Sequence, residues 1–172
     1  MTQHIFLTGK KHIGKSTLIQ KILDDYKKTA DGFLTVRTKN YLKNQYSVHM
    51  YHLKEKEFPN ESNLLFLCVK TDEHTADTFD RLGCNILSMC SDCSLIVMDE
   101  LGPHEADATL FRKKILNLLD GQTPILGVLQ EPAESFWPEI VNHPKVEIIT
   151  ISEDNRNDRA LLNYIQCKIS SP

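Results

Sequence analysis

No apolar run in this 172-residue chain approaches the roughly 20 residues that span a bilayer, and no cationic-then-apolar leader precedes the first apolar stretch. Neither a membrane segment nor export is therefore expected, and the cytoplasm is the expected location. Basic residues are not massed in runs. The 20 Lys and Arg against 23 Asp and Glu leave a net charge of −3, so nothing in the charge pattern calls for nucleic acid. Repeats and low-complexity tracts are absent, and no segment specifies a protein partner. Cysteine is present but does not form a framework. Cys68, Cys84, Cys90, Cys93 and Cys167 are odd in number, which points to reduced thiols. Cys90-x-x-Cys93 lacks the second C-x-x-C or H-x-x-x-H pair that a zinc site requires, so both read as small packing residues between a helix end and the next strand.

What the chain does contain is a repeated switch between strand and helix periodicity. Ile5–Leu7 reads as a short buried strand, and Ser16–Tyr26 as a helix carrying Leu18, Ile19, Ile22 and Leu23 on one face. Strands are expected at Gly32–Val36, Tyr46–Leu53 and Leu64–Val69, the last two flanking a solvated connection from Lys54 to Ser62. A helix over Asp77–Met89 follows, weakened by Gly83, and then Leu95–Met98, apolar enough to be central in a sheet. A helix over Ala106–Leu119 with Gly121 as its C-cap, a strand over Pro124–Leu129, a helix over Ala133–Val141, a strand over Val146–Ile151 and a closing helix over Arg159–Ile169 complete the pattern. One α/β domain spanning 1–172 is expected, three layers deep around a mainly parallel sheet.

Between the first strand and helix, Gly9-Lys10-Lys11-His12-Ile13-Gly14-Lys15-Ser16 fits G-x-x-x-x-G-K-[ST]. The context gives the pattern its meaning, because a helix N-terminus offers unpaired N–H groups and a positive dipole end to a phosphate. Lys15 is placed to reach the β- and γ-phosphates and Ser16 to ligate Mg²⁺; with Thr17, the whole loop forms the candidate nucleotide-binding segment. The acidic partner is Asp99-Glu100, which closes the most apolar strand. Ligands of open α/β sheets gather at the carboxyl ends of strands, so Asp99 is the candidate second Mg²⁺ residue and Glu100 the candidate base for an attacking water. Asp99-x-x-Gly102 also raises a signalling GTPase, but such proteins read guanine through N-K-x-D downstream. The nearest match here, Val69-Lys70-Thr71-Asp72, is imperfect and lies upstream.

Together these residues resemble the THEP1-type, or cancer-related, nucleoside-triphosphatases. Beyond the phosphate loop, the resemblance rests on Gly32-Phe33-Leu34-Thr35, Asp99-Glu100-Leu101-Gly102-Pro103, Glu105, Phe111-Arg112 and Asn155-Arg156-Asn157. It implies a P-loop NTPase fold and Mg²⁺-dependent hydrolysis of several nucleoside triphosphates. Lys15, Ser16 and Asp99 would bind phosphate and metal, and Glu100 would act as base. Asn155 and Arg156 would lie where the base is contacted, or else cap and pair at the last helix. Arg112 would either bring a cation to the transferring phosphate or remain a helix-surface residue. The chain departs from the family pattern in its Lys-Lys-His-Ile loop interior, in Ser16 for threonine, and in Val36-Arg37 following Thr35 directly. The segment from Asn40 to Asp77 also matches poorly. Hydrolysis is the leading function; a small-molecule phosphotransferase using that variable middle as its acceptor pocket, and a nucleotide-dependent switch, are the alternatives.

Overall fold

The computed structural model describes residues 4–39, 41–42, 45–68 and 74–170. Seven strands form one sheet in the order β4-β3-β2-β5-β6-β1-β7. They are β1 (His4–Thr8), β2 (Ala30–Lys39), β3 (Tyr46–His52), β4 (Leu64–Leu67), β5 (Leu95–Leu101), β6 (Ile125–Leu129) and β7 (Val146–Thr150). The helices are α1 (Lys15–Asp25), α2 (Thr75–Ser88), α3 (Thr109–Asp120), α4 (Ala133–Phe136), α5 (Pro138–Val141) and α6 (Arg159–Ser170). Asn40 and residues 69–72, which include the end of the expected fourth strand and the segment compared with the guanine motif, lie outside the described residues. No helix among the described residues is long and apolar enough to cross a membrane.

Strand alternation builds the layers. Leu95 and Val97 of β5 join Ile5, Leu7, Leu126 and Val128 against Leu18, Ile19 and Ile22 of α1 and Ile165 and Ile169 of α6. Ile96 and Met98, on the opposite face, join Phe6 and Phe33 against Phe79, Ile86 and Leu87 of α2 and Phe111, Ile115 and Leu119 of α3. β5 holds the centre of the sheet, as its apolarity predicts, paired in parallel with β2 on one side and β6 on the other. The β2-β3-β4 side is antiparallel. There β2 runs well past the expected Val36, because pairing with β3 continues from Phe33↔His52 to Lys39↔Tyr46.

Three local departures have physical causes. The expected helix over Ala133–Val141 breaks at Trp137, because Pro138 has no N–H and restricts the residue before it. The expected start of α3 at Ala106 is delayed to Thr109. Residues 103–108 instead wrap a buried Glu105, whose carboxylate accepts from the Gly102 N–H. Gly83, which lowers helix propensity, is required where it stands. A Cβ there would collide with the Phe111 ring, so this glycine lets α2 and α3 close on each other. Asp80 of α2 ties the pair further by accepting from the Phe111 N–H at 2.8 Å. Gly121 caps α3 through a bond to Leu118 O at 3.1 Å, with a negative φ of −69°.

Candidate active site

The phosphate loop leaves β1 at Gly9 and enters α1 at Lys15, and its sequence explains its shape. Gly9 has φ 134°, and a Cβ there would strike the carbonyl of Ile151, whose N–H donates to Thr8 O at 2.8 Å beside the loop. His12 takes φ 63°, a left-handed conformation uncommon for a residue other than glycine. Ile13 is buried in the α1 core and pins the loop from beneath, while its N–H donates to Lys10 O at 3.2 Å. Gly14 precedes α1 with φ 109°, and no side chain caps the helix. The first-turn N–H groups of α1 therefore remain for a ligand.

Lys15 is buried, and its Nζ donates to Gly9 O at 2.7 Å and Lys10 O at 3.1 Å. Its ammonium thus lies folded over the cradle formed by its own loop. Ser16 Oγ donates to Asp99 Oδ1 at 3.1 Å, joining the loop to the end of β5. Burial pushes the Asp99 carboxyl up to about 6; the Ser16 bond and Lys15 oppose this, and the neighbouring Glu100 adds to it. Two hard oxygen donors at this separation, one a buried carboxylate short of positive charge, fit a small divalent cation such as Mg²⁺.

Glu100 reaches the same space although strand alternation sends adjacent residues to opposite faces. Between the pairs Met98↔Gly127 and Leu101↔Leu129, β5 carries one residue more than β6. This bulge turns both carboxylates toward the loop. The Glu100 N–H is held by Thr35 Oγ1 at 3.0 Å, which explains the threonine of Gly-Phe-Leu-Thr. The glycine of that motif, with φ 133°, is equally tied to the site: a Cβ on Gly32 would strike the backbone of Val97, so only glycine lets β2 lie this close to β5.

A cavity of about 610 Å³ collects these groups. Gly9, Lys11, His12, Gly14, Lys15, Ser16, Thr17, Asp99 and Glu100 line it, together with Thr35, Arg37, Gln130 and Glu131. Lys10 is exposed and contributes its carbonyl, and Ile13 belongs to the core, so these two candidates shape the loop without lining the cavity. Arg37, Gln130 and Glu131 escaped the sequence reading. Arg37 stands two residues after Thr35 and so shares its face, while Gln130 and Glu131 follow β6 at the carboxyl edge of the sheet. Strand period and strand ends are the signals that point to them.

Three candidates are placed elsewhere. Arg112 does not line the cavity: its guanidinium donates to both oxygens of Glu139 at 2.9 and 2.7 Å and to Phe136 O at 3.0 Å, and it lies 4.0 Å over the Trp137 ring. That bidentate, stacked position clamps α3 to α4 and α5 and keeps the cation out of the phosphate cavity. Asn155 folds the loop after β7, accepting from Ser152 N at 2.8 Å and donating to Thr150 O at 2.9 Å. The α6 cap belongs to Asp158, which accepts from Ala160 N at 2.8 Å. Arg156 is exposed on the same loop. Cys90 is buried with its thiol pushed up to about 12 by burial, and its Sγ donates to Ile86 O, which fits the packing role. Among the described residues, no group of three His, Cys, Asp or Glu is placed to hold a metal.

A strand–loop–helix phosphate cradle facing a carboxylate pair across the carboxyl edge of a parallel sheet defines a P-loop nucleotide-binding enzyme. Comparison with known proteins places it more narrowly. The chain belongs to the family described as NTPase, whose model matches residues 4–165. Among its relatives is the "Nucleoside-triphosphatase THEP1" of Thermotoga maritima, 26% identical, with 94% of this chain and 92% of the relative covered. The human "Cancer-related nucleoside-triphosphatase" is 27% identical, with 99% of each chain covered. In structure the chain is similar to THEP1 from Aquifex aeolicus, with a TM-score of 0.74, 20% identity and coverage of 98% and 99%. It is also similar to the solution structure of the human protein, with a TM-score of 0.66, 25% identity and coverage of 99% and 100%.

Proposed function

We propose that this protein hydrolyses nucleoside triphosphates to diphosphate and phosphate with Mg²⁺, using water activated by Glu100. The observation that carries this reading is the position of Glu100. Its carboxylate lines the phosphate cavity beside the Ser16–Asp99 pair, and its backbone is fixed by Thr35. A switch protein that relied on a partner for hydrolysis would not need a carboxylate held there.

The loop N–H groups and the α1 terminus would bind the β-phosphate. Lys15 would exchange its two carbonyl acceptors for β- and γ-phosphate oxygens, a short movement of an ammonium already in place. Ser16 and Asp99 would hold Mg²⁺, which when bound supplies positive charge against the phosphate oxygens. Arg37, reaching into the cavity from β2, would set a second cation beside the γ-phosphoryl, the role expected earlier of Arg112. Glu100 would orient the water in line with the phosphorus and take its proton. Arg156 would stack on the base, with Asn155 positioning its loop; stacking tolerates any base, in keeping with relatives named for nucleoside triphosphates in general.

Glu100→Gln keeps the shape of the site and removes the base. Phosphate release should fall by about 10²- to 10⁴-fold, with nucleotide affinity measured by calorimetry nearly unchanged. Full turnover in that variant would remove Glu100 from this role.

A further inference from the structure

Beyond the phosphate cavity lies a second one of about 300 Å³ that shares Lys11, Thr35, Arg37, Glu100 and Gln130 with it. The two are adjoining chambers, with Glu100 and Arg37 on their common wall and the Arg37 guanidinium 4.0 Å over the Tyr46 ring. The second chamber is larger than a water molecule needs, and its chemistry differs. Val48, Leu65, Phe66 and Phe79 give it apolar walls, and the His104 ring lies 4.3 Å from that of Phe66. Glu105 is its deep polar group, 3% exposed. Burial pushes the Glu105 carboxyl up to about 7, against the hydrogen bond from Gly102 N, so near neutrality a good share of it is protonated and able to donate. The protonated carboxyl would donate to an acceptor atom on a ring bound there, and the apolar side chains of Val48, Leu65, Phe66 and Phe79 suit a body that carries no charge of its own.

We propose that this second chamber is an acceptor site for a small alcohol with a flat, uncharged aromatic body, to which the γ-phosphoryl group is transferred. The ring would lie among Phe66, Phe79 and Val48, its polar edge would meet Glu105, and its hydroxyl would enter the shared wall beside Glu100. The acceptor oxygen forms the new bond to the γ-phosphorus. The bond from that phosphorus to the β–γ bridging oxygen breaks, its electron pair leaves with the nucleoside diphosphate, and the hydroxyl proton passes to Glu100 and on to solvent. This rests on the reading of Glu100 as base given above. Water is then the acceptor when the chamber is empty.

The chain supplies its own reporter. Its single tryptophan, Trp137, donates from Nε1 to Gly102 O at 3.1 Å, and Gly102 lines the chamber. The full-length protein is titrated with benzyl alcohol and uridine as probes and glycerol as the ring-free control, following Trp137 fluorescence. It is then incubated with γ-labelled ATP, Mg²⁺ and each probe, and the labelled products are separated. The ring alcohols should change the fluorescence saturably and yield a labelled phosphate ester. Both signals should fall at least tenfold in Val48→Phe, which fills the chamber, and after alkylation of the exposed Cys68 at its wall, with Cys68→Ser as the control for labelling elsewhere. The melting shift given by ATP reports that the variants remain folded. No fluorescence change in the wild-type protein, a response that survives both blocks, glycerol acting as well as the ring alcohols, or binding without ester would each overturn the proposal. Ester formation without phosphate release in water would instead overturn the hydrolytic reading and leave this one standing. Phosphate release without any ring-alcohol binding would do the reverse.

Discussion

The two ends of the central sheet treat buried charge in opposite ways. At the amino end, His4 is wholly buried and fully used: its Nε2 lies 2.9 Å from Leu119 O, and its Nδ1 accepts from Ile125 N at 3.1 Å. Burial holds its ionisation down to about 4, so the neutral ring is the folded form. Asp31, at the start of β2, accepts from Gly32 N at 2.8 Å and Lys54 Nζ at 2.6 Å, with His52 Nε2 2.6 Å away. Burial pushes its carboxyl up, but those partners prevail and hold it below the ordinary value. At the carboxyl end, Asp99 and Glu105 show the reverse, both pushed up to about 6 and 7. One end completes His4 and Asp31 within the chain, and the other leaves acids that a cation or ligand would complete. The first arrangement serves stability and the second serves binding.

Substitutions at the two ends should therefore separate activity from stability. The largest effect belongs to the carboxyl end. Lys15→Ala should lower phosphate release by about 10²- to 10³-fold, as loss of a preorganised cation or donor does, while the melting temperature changes little. A comparable loss of both would mean that Lys15 is chiefly structural.

Acid should weaken the amino end next. A histidine whose folded value lies below its unfolded one contributes stability that is present above about 6.5 and is lost as pH falls toward about 4. Asp99 and Glu105 have raised values and gain with acid, so the contribution of His4 must be taken by difference. His4→Gln should be less stable at pH 7, yet its loss between pH 7 and 4.5, read from urea melts, should be about 2–3 kcal/mol smaller than that of the wild-type protein. Equal losses would remove His4 as the acid-sensitive group.

Asp31→Asn should cost about 1–3 kcal/mol at pH 7 by removing a buried, charge-assisted network, with kcat for phosphate release within twofold. Part of that network is exposed, since the Lys54 side chain is 57% accessible, which keeps the expected cost in the lower part of the range. Smallest of all, brief treatment with a thiol reagent should label the exposed Cys68 and Cys167 and spare Cys90, whose thiol is buried and pushed up to about 12. Mass spectrometry that found Cys90 labelled first would contradict its packing role.

The same division marks what was legible in the sequence. The phosphate loop and Asp99-Glu100 were readable because each lies within a few residues of chain, bracketed by strands and helices whose periods are plain. The layers were readable too, since β1, β5 and β6 alternate around apolar side chains. Thr35 was readable as part of the second strand, but Arg37 lay past its expected end at Val36, and neither was readable as a neighbour of Glu100, because only the pairing of β2 with β5 brings them there. The β5 bulge has no signature in Asp-Glu-Leu, and without it Glu100 would be assigned to the opposite face. Arg112 shows the converse case. Its place after Phe111 matched a family pattern, but its partner Glu139 stands 27 residues on, at a helix break that only tertiary packing sets against α3.

Asp99 tests the contrast between the two ends most directly, because one substitution should move stability and activity in opposite directions. Asp99→Asn removes a buried acid whose folded value is raised to about 6 and keeps an oxygen for Ser16. Measured together at pH 8, the variant should be more stable than the wild-type protein by about 1–3 kcal/mol in urea unfolding, and its Mg²⁺-dependent phosphate release should fall at least a hundredfold. A variant that is less stable and still active would contradict the account, placing Asp99 with Asp31 as a structural acid.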